Sequence, residues 1–489
     1  MSGAGPVVSR PIWLAQALVV FLLACKVWLT FTAPPIGDEA YYWLWGQRPD
    51  WSYFDHPPFH PWLLGVMSLL GWNLFTLRLL TWLTLAGTLW IFWLWAKRLK
   101  PEDPAAWWWP SVALYLSSFL FFLMSGVAFH DHLLIFLCIA TAHAFLVFTE
   151  QWEAGRRSIP LLYGAAILLG LTVLTKYNGV LLGFGVALFL LLHKPVRSVW
   201  RSPHLYLAAA LSVAMQAPVL MWNLEHGFAS YKFHLADRWG GTLFELDPIH
   251  ALEFVLMALL VVSPFVFPAL FRMIRAPLGA PFADRARLLA LSVLGVSTAT
   301  MLFLSFFVVV FFYWNIVAFL LVMPLVAGWY HRRWLFNLNM VLGLVVGIGC
   351  VVNFSIVPLG NLFGGYDWTI SSTFGWNKIG ARVEALRDKH KTSFIATSTY
   401  TTAAQLGFAI RDPDVVAISS RRDQFDYWFD AKAHKGEDAI VVTDRTLGRR
   451  YLASRFESLE LIETVPYEQY GRVIYTARIY LGRGFKGRH

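Results

Sequence analysis

Apolar residues fall into long, nearly uninterrupted runs through the first 358 positions of the chain. They lie near 11–33, 74–96, 105–124, 132–149, 159–175, 177–193, 204–222, 249–271, 286–306, 312–330 and 335–358. A helix needs about 20 apolar residues to cross a hydrocarbon core, so the pattern predicts about eleven transmembrane helices. The first run is too long for a signal-peptide core and has no convincing cleavage site, so it reads as a retained span. After Pro358 the pattern changes. Short β-like runs at 394–397, 415–418, 439–443, 459–465 and 473–480 alternate with helix-like stretches at 376–389 and 401–408. The expected architecture is an all-α polytopic membrane domain over 1–358, followed by a small α/β domain over 359–489.

Composition agrees. Hydrophobic residues make up 57% of the chain and charged residues 14%, against the roughly 25% charged that soluble domains carry. The 24 Trp and 39 Phe suit a chain solvated by lipid, with aromatics at the interfaces. Net charge is +10, and the loops explain it without nucleic acid. One set of loops carries fifteen Lys and Arg, the other only Arg48, Lys176, Lys232 and Arg238. Basic loops resist translocation, which predicts a cytoplasmic N-terminus. An odd number of spans then puts the C-terminal domain outside. The three cysteines all sit inside apolar runs and read as packing groups.

Polar chemistry concentrates in the loops predicted to face outward. The first contains GDEAYYWLWGQRPDWSYFDHPPFHP, with Asp38 and Glu39 just after a span and Asp55 and His56 before a double proline. Tyr41 and its aromatic neighbours suit helices lying at the interface. A carboxylate walled by aromatics can gain proton affinity and serve as a base, whereas in an open loop it is simply solvated. The second outward loop places His130, Asp131 and His132 at the start of a span. Asp131 suits a helix cap as well as a base. The histidines flank it on either side and would point apart on a helix, which disfavours ligation of one metal by all three. Lys176, in LTKYNGV, is either snorkelling or holding an anion. A wider loop supplies Lys232, His234 and Arg238. Acids with cations suit a hydroxyl nucleophile and a phosphate leaving group.

These strings (GDEAYYW, DHPPF, HDHLL, TKYNG, HGFASYKFH) resemble the polyprenyl-phosphate-sugar glycosyltransferases of the GT-C superfamily. The chain is similar to bacterial lipid A aminoarabinose and galacturonic acid transferases and, more distantly, to protein O-mannosyltransferases. The resemblance implies inverting transfer of a sugar from an undecaprenyl-phosphate carrier to an envelope glycolipid, glycan or protein. It puts Asp38 at the acidic position of the first-loop motif, Asp131 at the second-loop acid and Lys176 near the carrier phosphate. Aminoarabinose transferases tend to have Glu-Lys-Pro where this chain has Asp55-His56-Pro57, so a histidine replaces a lysine.

The expected roles follow from the chemistry. Asp38 takes the acceptor proton, Asp131 orients or substitutes for it, and Glu39 supports them. Lys176 and Arg238 clamp the phosphate, with Asp55, His56, His234 and Tyr41 as further substrate contacts. No metal site is assigned, although a divalent ion near Asp55, His56 and His60 is left open. The rival reading is a lipid or glycan transporter, for which Lys26 and Arg78 are the best residues. No GxGxxG follows a predicted strand, and Gly343, Gly347 and Gly349 read as helix-packing positions in the last span.

Overall fold

The computed structural model describes residues 12–235, 246–443 and 449–488. Among them, six helices are long and apolar enough to cross a membrane: Ile12–Thr32, Leu74–Leu99, His130–Glu153, Pro203–Glu225, Pro281–Ser305 and Arg333–Ile356. Two helix pairs, bent by 110° and 101° at Leu192/Lys194 and Val262/Phe267, raise the number to eight if each is one span. The chain is a multi-pass membrane protein, and a count of about eleven is not confirmed among the described residues.

Of the three runs outside those eight, 159–175 is a continuous but short helix, Ile159–Thr175, and the other two are broken. The run at 105–124 divides into Ala105–Ser117 and Phe119–Met124, because Ser118 turns to extended backbone at ψ 124°. The run at 312–330 breaks into Ile316–Leu320, Met323–Val326 and a 3-10 turn. Apolarity predicts that a segment sits in lipid or core; it does not predict that the helix continues unbroken.

The chain divides into two compact units. The first comprises residues up to 27, 56–59 and 80–348. Within it His130–Glu153 packs along Ile159–Thr175, which also packs on Pro203–Ala214. Small residues let the helices close up. A Cβ on Gly343 would lie 2.4 Å from the Ser117 hydroxyl and one on Gly347 2.9 Å from Leu22, as the packing reading expected. Gly349 has open space at that position, so the reading does not extend to it.

The second unit comprises residues 28–55, 60–79 and 349–489. Its five-stranded sheet runs β1 Phe394–Thr397, β2 Val416–Ala417, β3 Ala439–Thr443, β4 Phe456–Gln469 and β5 Arg472–Phe485. The order is β2-β1-β3-β5-β4, with β1 parallel to β2 and β3, and β5 antiparallel to β3 and β4. Phe394, Ala396, Val441, Leu452, Phe456 and Phe485 build one core on it. The turn between β4 and β5 is Tyr470-Gly471, both at positive φ (52° and 71°), the left-handed pair that a two-residue hairpin favours. Both strands outrun the expected 459–465 and 473–480. β4 is an edge strand with charged residues on it, so its ends carry no apolar alternation.

The first-loop sequence forms two ten-residue helices, Gly37–Gly46 and Phe59–Ser68. They cross where two glycines meet: a Cβ on Gly46 would sit 2.7 Å from the Gly65 amide nitrogen. Gly37–Gly46 also packs along Tyr400–Ile410, so the first-loop acids belong to the same unit as the sheet.

Candidate active site

Asp38 and Glu39 occupy the first turn of Gly37–Gly46, where carboxylates suit the helix dipole. Their surroundings differ sharply. Glu39 is fully buried and grips Arg78 with both oxygens, Nε to Oε1 at 2.9 Å and Nη2 to Oε2 at 2.7 Å. Its Oε2 also accepts from the Ile36 amide at 3.0 Å. The rest of the Arg78 guanidinium donates to the Leu29 and Ala33 carbonyls at 2.9 Å and to Pro34 at 3.2 Å. Those carbonyls lie in the last turn of the helix Ile12–Thr32 and in the two residues just past it. Arg78 is thus a side-chain cap with Glu39 as its counter-ion, and the pair is structural. Arg78→Ala is therefore expected to cut stability by about 3–5 kcal/mol, as removal of one buried partner does. A thermal shift of the purified protein checks this, and an unchanged midpoint would contradict it.

Asp38 is only half-buried, and its Oδ1 accepts from the Tyr400 hydroxyl at 3.1 Å. Burial, followed by the Asp38 charge, pushes the Tyr400 phenol well above its usual range. Tyr400 therefore remains a donor and holds the carboxylate in a fixed orientation. The Arg421 guanidinium lies 4.8 Å over the Tyr400 ring and reaches Asp55 Oδ1 at 3.1 Å. Asp55 Oδ2 accepts from Tyr41 at 3.0 Å, and the Tyr41 oxygen accepts from the Gln424 amide at 2.7 Å. Burial opposes charge on Arg421, yet Asp55 and the two phenols hold its pKa above the ordinary arginine value. Asp423 beside it goes the other way: burial, then Asp426 and Asp55, raise its carboxyl well above the usual range. The second unit thus joins Asp38, Tyr400, Arg421, Asp55 and Tyr41 in one polar network.

The first unit holds a separate cluster. Asp131 does not cap its helix; Phe129 stands at the N-cap position with no side-chain bond. Instead Asp131 takes the Lys176 ammonium with both oxygens, at 2.7 and 2.8 Å. Lys176 sits in extended backbone between the helix Ile159–Thr175 and the turn Tyr177–Gly179, with its ammonium 4.5 Å over the Tyr313 ring. Both members of the pair are buried, so the lysine does not snorkel. His130 and His132 do point apart. The His130 ring lies 4.5 Å from that of His56, and His132 Nδ1 is 2.9 Å from the Thr84 hydroxyl. His234 packs edge-on against Tyr177, whose hydroxyl meets Ser230 at 3.0 Å. Arg238 lies outside the described residues. Among the described residues, no three His, Cys, Asp or Glu side chains converge as a metal site.

A family model described as dolichyl-phosphate-mannose-protein mannosyltransferase matches residues 55–222. The lipid A galacturonosyltransferase RgtD of Rhizobium johnstonii is 30% identical over 250 residues, 49% of this chain and 49% of that protein. The chain thus spans about half the length of the curated relative it matches. The crystal structure of ArnT from Cupriavidus metallidurans in the apo state superposes with a TM-score of 0.61 at 15% identity, over 96% of this chain and 97% of that one. The same protein bound to undecaprenyl phosphate gives 0.61 at 16%, over 96% and 98%. The chain has the fold of ArnT.

The two residues that favoured transport both have partners within the protein. Lys26 donates to the Phe122 carbonyl at 2.5 Å and lies over the Phe122 ring, and Arg78 is a helix cap. Each is a structural contact. Reading the sequence alone missed Tyr400, Arg421 and Tyr313. Arg421 had a weak signal, the doubled arginine of SSRRDQFDYW in the domain read as facing outward. Tyr400 and Tyr313 had none.

Proposed function

We propose that the protein is an inverting glycosyltransferase moving a sugar from a polyprenyl-phosphate carrier to an envelope glycolipid on the outer side of the inner membrane. The observation that carries this reading is Asp38, a half-buried carboxylate oriented by Tyr400 directly after an apolar span. Asp38 receives the proton of the acceptor hydroxyl as that oxygen attacks the anomeric carbon. The bond from that carbon to the carrier phosphate breaks on the opposite side, which inverts the configuration. The polyprenyl phosphate departs with the electron pair and needs a cation, not a protonated acid. Lys176 supplies that cation, and Asp131 holds its ammonium in place. Arg238 is the second candidate for the phosphate. Asp55, Tyr41 and Arg421 brace Tyr400 and are positioning residues.

The names of the relatives narrow the first substrates to test. One acts as a lipid A galacturonosyltransferase, and a protein of the same fold was solved with undecaprenyl phosphate. Purified protein should transfer labelled sugar from undecaprenyl phosphate to lipid A, with no ion gradient across any membrane. Nucleotide sugars without the lipid carrier should give no transfer. Efficient transfer from the nucleotide sugar would sink the mechanism, and movement of substrate without glycosylation would point to a transporter.

A further inference from the structure

The second unit contains a cavity of about 490 Å³ in which none of the residues just discussed takes part. It includes Thr32, the last residue of the helix Ile12–Thr32, and Leu74, the first of Leu74–Leu99. The cavity therefore opens where two membrane-spanning helices end. A ligand whose tail stays in lipid can present its head there.

The lining has a defined chemistry. Lys378 and Arg411 contribute two positive charges, and among the described residues no Asp or Glu lines the cavity. The Arg411 guanidinium makes no hydrogen bond or ion pair among the described residues, so its charge stays available. Trp72 and Trp376 offer aromatic surface. Gln405 is 3% exposed, and its amide nitrogen donates to the Pro35 carbonyl at 3.2 Å. That bond fixes which end of the amide is oxygen. Its Oε1 accepts nothing among the described residues, an unmet acceptor on a buried side chain that lines the cavity. That oxygen is not walled off from the cavity, so a ligand hydroxyl can donate to it there. The helix Trp376–His390 also begins in the lining. Its cap position is Gly375, at φ 87°, which brings no side chain to the first-turn amides. Those amides favour an anion, in step with the two cations.

From these features we infer that the cavity binds the phosphorylated sugar headgroup of a membrane glycolipid. Aromatic faces and amides recognise the sugar ring and its hydroxyls, Lys378 and Arg411 recognise the phosphate, and the helix ends leave the acyl chains in the bilayer. Taking that glycolipid as the acceptor rests on the proposed transfer reaction; its binding here does not.

The test is equilibrium binding to the full-length protein in nanodiscs, with phosphorylated lipid A, dephosphorylated lipid A, phosphatidylglycerol and inorganic phosphate as probes. Phosphorylated lipid A should bind best, and Lys378→Ala with Arg411→Ala should weaken it by at least about tenfold, since two charge-assisted contacts are lost. Gln405→Leu should weaken both forms of lipid A alike. Equal binding by wild type and the double variant would overturn the proposal. Phosphatidylglycerol binding as tightly as lipid A would overturn the sugar component, and inorganic phosphate competing at equal concentration would overturn the lipid one. Size-exclusion profiles separate lost binding from lost folding. Turnover with the lipid-linked donor is measured separately, so wild type that binds without transferring sugar refutes the reaction and leaves the cavity assignment standing.

Discussion

Asp38→Asn should lower sugar transfer by about 10²–10⁴-fold, the range over which a positioned general base contributes. The amide keeps the size of the carboxylate and can still accept from Tyr400 through its oxygen, so folding should survive. What it loses is the ability to take the acceptor proton. The measurement is turnover at saturating donor, together with donor affinity. Affinity should change little, because the carboxylate is needed at the transition state and not to hold the carrier. A variant within a few-fold of wild type would remove Asp38 as the base. Asp131→Asn would then be the next to test, although Asp131 already has both oxygens on Lys176.

The second large effect concerns that ion pair. Lys176→Ala should abolish measurable transfer and also destabilise the protein by about 3–5 kcal/mol, because a buried carboxylate is left without its partner. Those two losses can be separated. Pairing Lys176→Met with Asp131→Leu removes both charges, and apolar replacement of a buried pair is often neutral or stabilising. The double variant should therefore regain the thermal midpoint and still fail to transfer sugar. If it regains turnover as well, Lys176 holds the fold and does nothing to the phosphate. Lys176→Arg, which keeps the charge, should retain partial activity.

The sequence made the membrane character plain and located the acids of the first loop. It did so because both are local: an apolar run or an Asp-Glu pair is visible within twenty positions. The runs at 11–33, 74–96 and 286–306 became single helices close to where they were read. The span count was not legible, because a bend such as that after Val262, where Ser263 takes φ 110°, leaves hydropathy unchanged. The partners of the acids were hidden for a different reason. Lys176 meets Asp131 across 45 positions, and Tyr400 meets Asp38 across 362. Nothing in one stretch of chain announces the other. Glu39 and Asp38, adjacent and alike in sequence, differ in surroundings because Arg78 faces one and Tyr400 the other.

The Arg78 cap has a consequence for how the protein is made. A guanidinium at the head of the helix Leu74–Leu99 is expensive to leave in lipid unless carboxylate and carbonyl partners are waiting. Those partners are Glu39 and the end of the helix Ile12–Thr32, all earlier in the chain. They have therefore left the ribosome before Arg78 does. The first helix, the loop behind it and the second helix form one unit of insertion, and the second can settle only once the first has been retained in the bilayer. A truncated nascent chain ending soon after Leu99 already carries everything this arginine needs.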